Sequence, residues 1–234
     1  MKIKYLIFLV LLFHTACYAQ LMHTDQMEYG YKGPVRVIVK KTYANPIPAG
    51  NELTFRDSNQ VTIHTYYFNR AGNMDSAKME RKDPLTGDYS YMTYFEFNKS
   101  RKSGWNAFDE NNEKLMVGEI AWSSDKEFTE NVYVEGQLRY EVKTVLNNSF
   151  RIIETNVRSF GEDGDVLQED KTEFKFDESG DIDYKTAHQK SGLEEKTIYV
   201  YFSKDRFGNP TKLKMTKGNT AAKTLVVIDY LYYN

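Results

Sequence analysis

Few residues in this sequence have the type and spacing that chemistry demands. Beyond the apolar start of the chain, histidine occurs only at His23, His64 and His188. His64 and His188 stand where polar and apolar residues alternate, a setting that favours cross-strand hydrogen bonding over acid–base work. No Gly-x-Ser-x-Gly elbow, His-Glu-x-x-His pair or Gly-rich Lys-Ser/Thr phosphate loop is present, so no catalytic residue and no cofactor is assigned. A glycosidase-like pair of carboxylates needs only proximity in space and leaves no local signature. An envelope hydrolase therefore ranks last of three functional classes.

Acidic clusters around glycine occur at Glu162-Asp163-Gly164-Asp165 and at Asp177-Glu178-Ser179-Gly180-Asp181-Ile182-Asp183. Carboxylates so placed can wrap Ca²⁺, but neither run has the twelve-residue loop with its closing Glu, and both match ordinary hairpin turns. No metal is assigned. Trp105 and Trp122 are the candidate ligand-binding residues, as a stacking platform for a sugar ring, against the plainer role of sheet-face filler. Cys17 is the single cysteine, so packing rather than disulfides or zinc must hold the fold.

Strands must position these groups. In Leu138-Arg139-Tyr140-Glu141-Val142-Lys143, Lys171-Thr172-Glu173-Phe174-Lys175-Phe176 and Thr211-Lys212-Leu213-Lys214-Met215, the apolar side chains recur at every second residue. That period puts them on one face of a half-buried antiparallel strand. The turns share a grammar: Phe68-Asn69-Arg70-Ala71-Gly72-Asn73, Phe108-Asp109-Glu110-Asn111-Asn112, Phe160 to Asp165, Phe176 to Asp181, and the longer Tyr201 to Asn209. An aromatic ends a strand, Asn69, Asp109 or Asp177 caps the turn, and Gly72, Asn73, Asn112, Gly164, Gly180, Gly208 or Asn209 closes it. Gly136 marks a shorter turn. The two prolines of Asn45-Pro46-Ile47-Pro48-Ala49-Gly50-Asn51 exclude a central strand there.

Residues 1–19 read as a secretory signal: Lys2 and Lys4 precede an apolar run, Leu6 to Phe13, too short to span a bilayer. Cys17 and Ala19 place cleavage before Gln20, giving a periplasmic or secreted protein. The alternative is a lipoprotein anchored at Cys17, although His14-Thr15-Ala16 lacks the usual aliphatic residue. Without Lys2 and Lys4 the 31 basic residues fall to 29 against 33 acidic ones, a net charge of −4. With no basic stripe either, nucleic acid is excluded as a partner. An envelope protein, a glycan or a lipid fits better.

The turn motifs resemble the tyrosine-aspartate (YD, or Rhs-like) repeats of exported bacterial proteins, from about Phe68 to Asn209, with Phe standing for Tyr and Asp181 for Asn. The resemblance implies a twisted ribbon of hairpins that curls, often as a scaffold or adhesive surface. The expected fold is all-β: an extended arm over 20–33, then one domain over 34–234, an antiparallel meander forming a curved open sheet. A β-sandwich or partly closed barrel is the alternative. The leading expected function is a non-catalytic envelope binding or scaffold protein, followed by a carrier of an apolar ligand such as lipid on the curved sheet.

Overall fold

A computed structural model describes residues 23–49, 52–56, 60–82, 87–218 and 223–234. The expected signal segment and its cleavage site lie outside the described residues. A short helix α1 (Asp25–Tyr29) precedes β1 (Val35–Ala44), β2 (Ile47–Ala49), β3 (Glu52–Thr54), β4 (Gln60–Phe68), β5 (Met74–Arg81), β6 (Tyr89–Asn98), β7 (Arg101–Phe108) and β8 (Lys114–Trp122). There follow β9 (Glu127–Val134), β10 (Gln137–Leu146), β11 (Ile152–Phe160), β12 (Val166–Phe176), β13 (Ile182–Gln189), β14 (Glu194–Lys204), β15 (Pro210–Lys217) and β16 (Lys223–Tyr232).

From β4 to β16 each strand pairs antiparallel with its neighbour in sequence, as the alternation and turn signals predict. The open sheet does not form. β1 pairs with β4, Lys40 opposite His64, and also with β16, Lys40 opposite Ile228, so that fourteen described strands close into a barrel. Closure satisfies the two strand edges that an open sheet would leave unpaired. Its curvature comes from the turns. Beside each long-turn motif the register slips by a residue, at Tyr67/Phe68, Ala107/Phe108, Ser159/Phe160 and Lys175/Phe176. Such bulges bend a strand and raise its twist, and repeating them around a sheet rolls it up.

The turns follow their chemistry. The Asn69 side chain accepts from the backbone N–H of Ala71 and Asn73, and Gly72 takes φ 87°. Asp109 does the same for Asn111 and Glu113, with Asn112 at φ 65°. Asp177 caps Asp181, and Asp205 caps Phe207 and Asn209. Asn147 to Arg151 is a further copy, with Phe150 in the positive-φ position at 59°, disguised in the sequence by the absence of glycine. The two prolines behave as expected: β2 pairs only with β3, in a separate two-stranded sheet. Phe55, just after it, stacks on Tyr43 of β1 with ring centroids 3.9 Å apart.

Cross-strand partners share a face, so the register sorts the wall into two sides. Inward lie Ile38, Tyr66, Phe95, Trp105, Phe128, Phe174, Tyr199, Leu213, Met215, Val226 and Tyr230. Lys40, His64, Glu130, Asp170, Lys185 and Glu195 face inward too, and the outer face carries exposed Tyr67, Tyr94, Ile198, Val200 and Leu231 together with charged ladders. Arg158 bridges Glu141 and Glu169, each at 3.3 Å, and Lys171 bridges Glu154 at 3.0 Å and Glu173 at 2.9 Å, across β10, β11 and β12. Lys41 meets Asp229 at 3.5 Å and Lys78 meets Glu80 at 2.9 Å.

Candidate ligand-binding lumen

The segment expected as an extended arm instead closes one end of the barrel. Thr24 caps α1 by accepting from Met27 N–H at 3.4 Å, and Gly30 ends it at φ 71°. A five-residue helix cannot hold itself together by backbone bonds, so its stability comes from what it touches. Asp25 and Glu28, both buried, converge on Lys102 of β7, at 2.6 and 3.3 Å. His23 Nε2 stands 2.9 Å from Glu28, and its ring lies against Trp122 and Phe150. Asp25 also accepts from Met74 N–H at 2.6 Å. Further along, Asn209 accepts from Lys32 N–H and donates to Lys32 C=O, both at 2.7 Å, as a paired strand would. The turns that meet this segment, at 69–73, 147–151, 177–181 and 205–209, all lie at the end of the barrel where β1 begins.

The electrostatics are those of a buried clamp. Burial raises the Asp25 carboxyl above its usual range, against the pull of Lys102. Burial acts the same way on Glu28, but Lys102 and His23 outweigh it and hold that carboxyl low. For Lys102 the loss of water would lower the ammonium, yet Glu28 and Asp25 more than reverse it and the group is raised. These two carboxylates are thus committed to a lysine.

Above the plug the barrel is hollow. One cavity of about 280 Å³ is lined by Tyr29, Tyr91, Phe95, Trp105 and Phe128, and by the charged Glu28, Lys102 and Glu130. A second, of about 190 Å³, lies among Tyr29, Tyr31, Tyr199, Tyr201 and Tyr230, with Lys40, Arg151 and Asp181 also on its wall. A third, of about 530 Å³, is bordered by Tyr140, Val157, Ser159, Phe160 and Asp170 on β10 to β12. Tyr29 borders the first two. It keeps 43% of its surface uncovered while enclosure among protein atoms raises its phenol, which places that surface in the lumen rather than on the outer wall. Burial likewise pushes Tyr66 and Tyr199 up to about 12.

Both sequence candidates point inward. Trp105 lines the first cavity and donates its indole N–H to Glu130. Trp122 instead packs on Phe128, 4.6 Å between centroids, and donates to Lys102 C=O at 2.9 Å, bracing the clamp. The two are not brought together as one platform. His64 faces the lumen beside Lys40, stacked on Tyr66, and His188 lies on the outer wall 3.8 Å from Glu194. In the acidic run, Asp177 is spent on its turn and Asp181 on Lys204 at 2.5 Å. Sequence reasoning missed Asp25, Glu28, Lys40 and Lys102. A signal existed: adjacent cations in one strand, Lys40-Lys41 and Arg101-Lys102, cannot both face water, because consecutive side chains point to opposite faces.

No family model and no curated protein matches the sequence. Among solved structures, a porin-like protein from Bacteroides uniformis ATCC 8492 aligns at 13% identity and TM-score 0.48, over 86% of this chain and 99% of that one. A porin-like protein from Bacteroides vulgatus ATCC 8482 gives 12% and 0.48, over 82% and 97%. A LolA superfamily protein from Nitrosomonas europaea gives 9% and 0.32, over 92% and 94%. The barrel itself is read from strand pairing, which none of these values bears on.

Proposed function

We propose that this protein binds and carries an apolar ligand inside its barrel. The observation behind this reading is the aromatic lining of the inner wall, with Phe95, Trp105, Tyr199 and Tyr230 bordering internal cavities, above an end covered by α1. Apolar surface facing an internal space is stabilised when something apolar replaces the water against it. The repeated hairpins serve as the shell that holds the ligand, which makes the carrier reading stronger than a bare scaffold. An exported protein cleaved before Gln20 suits this arrangement, since the plug begins within a few residues of the new terminus.

Native mass spectrometry of the protein purified from its own cells, followed by extraction and rebinding, tests the proposal. A stoichiometric apolar adduct that is lost on extraction and regained on mixing is the expected result. A protein that carries no adduct and takes up no hydrophobic fluorophore would overturn it. The intact mass of the same sample checks cleavage, because a species starting at Cys17 and bearing acyl chains would move the protein to a membrane surface.

A further inference from the structure

The second cavity, which Arg151 and Asp181 also line, contains a lysine that pairs with no carboxylate among the described residues. Lys40 is directed inward by the register of β1, opposite His64 and Ile228, and lines the space with Tyr199, Tyr230 and Met215. It makes no ion pair or hydrogen bond with any described residue. Its neighbours add positive charge: Lys185 of β13, also inward, is near enough to repel it, and Arg151 lines the same cavity with its Nε unpartnered. The carboxylates nearby are occupied, Asp181 by Lys204 at 2.5 Å and Glu195 by Lys217 at 3.0 Å. Arg151 itself is engaged with the plug floor, donating to Gly180 C=O at 2.7 Å and covering Phe176. Among the described residues, Lys40 keeps all three of its donors unused.

A lone ammonium in an aromatic cavity is costly to keep charged, and burial together with Lys185 lowers its proton affinity accordingly. An anion beside it would remove that cost and satisfy its three donors. We infer that the ligand is an amphiphile with an anionic head group, a carboxylate or a phosphate, seated at Lys40, with its apolar tail along the tyrosines toward the Trp105 cavity. This rests on the carrier reading above and specifies its ligand class. Tyr29, which borders both cavities, marks the path between head and tail.

The test compares dodecanoate, dodecanol and dodecylammonium, which share a tail, by quenching of intrinsic fluorescence in the extracted wild-type protein and in Lys40→Met. The expected result is that dodecanoate binds about tenfold more tightly than dodecanol, dodecylammonium is weakest, and in Lys40→Met dodecanoate loses its advantage over dodecanol. Equal binding of all three, or an anion preference that survives in Lys40→Met, overturns the head-group assignment and leaves the carrier reading standing. If none of the three binds to folded wild type, the carrier reading fails with it. Acetate that displaces dodecanoate at equal concentration would show a site for small free anions and would also overturn the amphiphile. Lys185→Met serves as a second variant if Lys40→Met does not fold, with a partial loss of the same preference expected.

Discussion

The indole of Trp105 fills the space that Gly118, its cross-strand partner on β8, leaves by having no side chain. A Cβ at position 118 would stand 2.1 Å from Trp105 Nε1 and 2.2 Å from Cε2, which no packing tolerates. Glycine in a strand interior is otherwise unfavourable, and here it lets an aromatic ring lie against the inner wall.

Gly118→Ala should therefore push the ring off the wall, costing about 1–3 kcal/mol by overpacking and shifting tryptophan emission. Denaturant melts of Gly118→Ala, Trp105→Ala and the double variant measure the coupling. Additive losses from the two single changes would show that the ring and the glycine are independent.

Removing Lys102 leaves Asp25 buried without a cation and Glu28 with His23 alone, so Lys102→Met should cost about 3–5 kcal/mol or release the plug. The triple change Asp25→Asn, Glu28→Gln, Lys102→Met removes all three charges and should recover much of the loss. Protection of the 24–33 amides from hydrogen exchange reports plug release directly. Unchanged protection in Lys102→Met would rule out the clamp.

The clamp also has a pH signature. Glu28 is held below its ordinary value of 4.5, so its contribution is full above that value and is lost as pH falls through the lowered one. Asp25, raised, has the opposite sign and is eased by protonation as pH falls. Glu28→Gln should flatten the acid limb of the stability curve, and Asp25→Asn should steepen it. An identical acid limb in both variants would contradict this assignment.

The lumen tyrosines predict an alkaline transition. Desolvation moves Tyr66 and Tyr199 from 10.0 up to about 12, so their neutral forms favour the folded state. That contribution is whole below pH 10 and disappears as pH rises toward 12, where the unfolded chain ionises first. Ultraviolet titration of phenolate should show a late class of tyrosines, smaller in Tyr199→Phe. A single transition near 10 in folded protein would mean that the lumen is no less polar than bulk water.

Asn209 uses its amide at both ends, accepting from Lys32 N–H and donating to Lys32 C=O and, at 2.9 Å, to the Tyr232 hydroxyl. Asn209→Asp loses the donors, and about 1–3 kcal/mol should go with them because the site is buried. Asn73, the matching position of an earlier turn, has no such partner in the plug, so Asn73→Asp should change stability by a few tenths of a kcal/mol. Equal effects in thermal melts would place Asn209 among ordinary turn residues.

The strands were legible because side chains alternate across a pleat, and most of the turns because Asn, Asp and Gly at fixed offsets have few other uses. The sequence also limited the charge and excluded a disulfide frame. That β1 meets β16 emerges from the assembled barrel alone. Pairing of Ile38 with Tyr230 depends on the twist and stagger summed over every intervening hairpin, and no local residue encodes that sum. Closure then decided which face is inside, turning Trp105, Tyr199 and Lys40 into a lumen lining. The plug was hidden for a related reason: Asp25 and Glu28 gain their partner from Lys102, 74 residues beyond Glu28, and without it a five-residue helix has no periodicity to read.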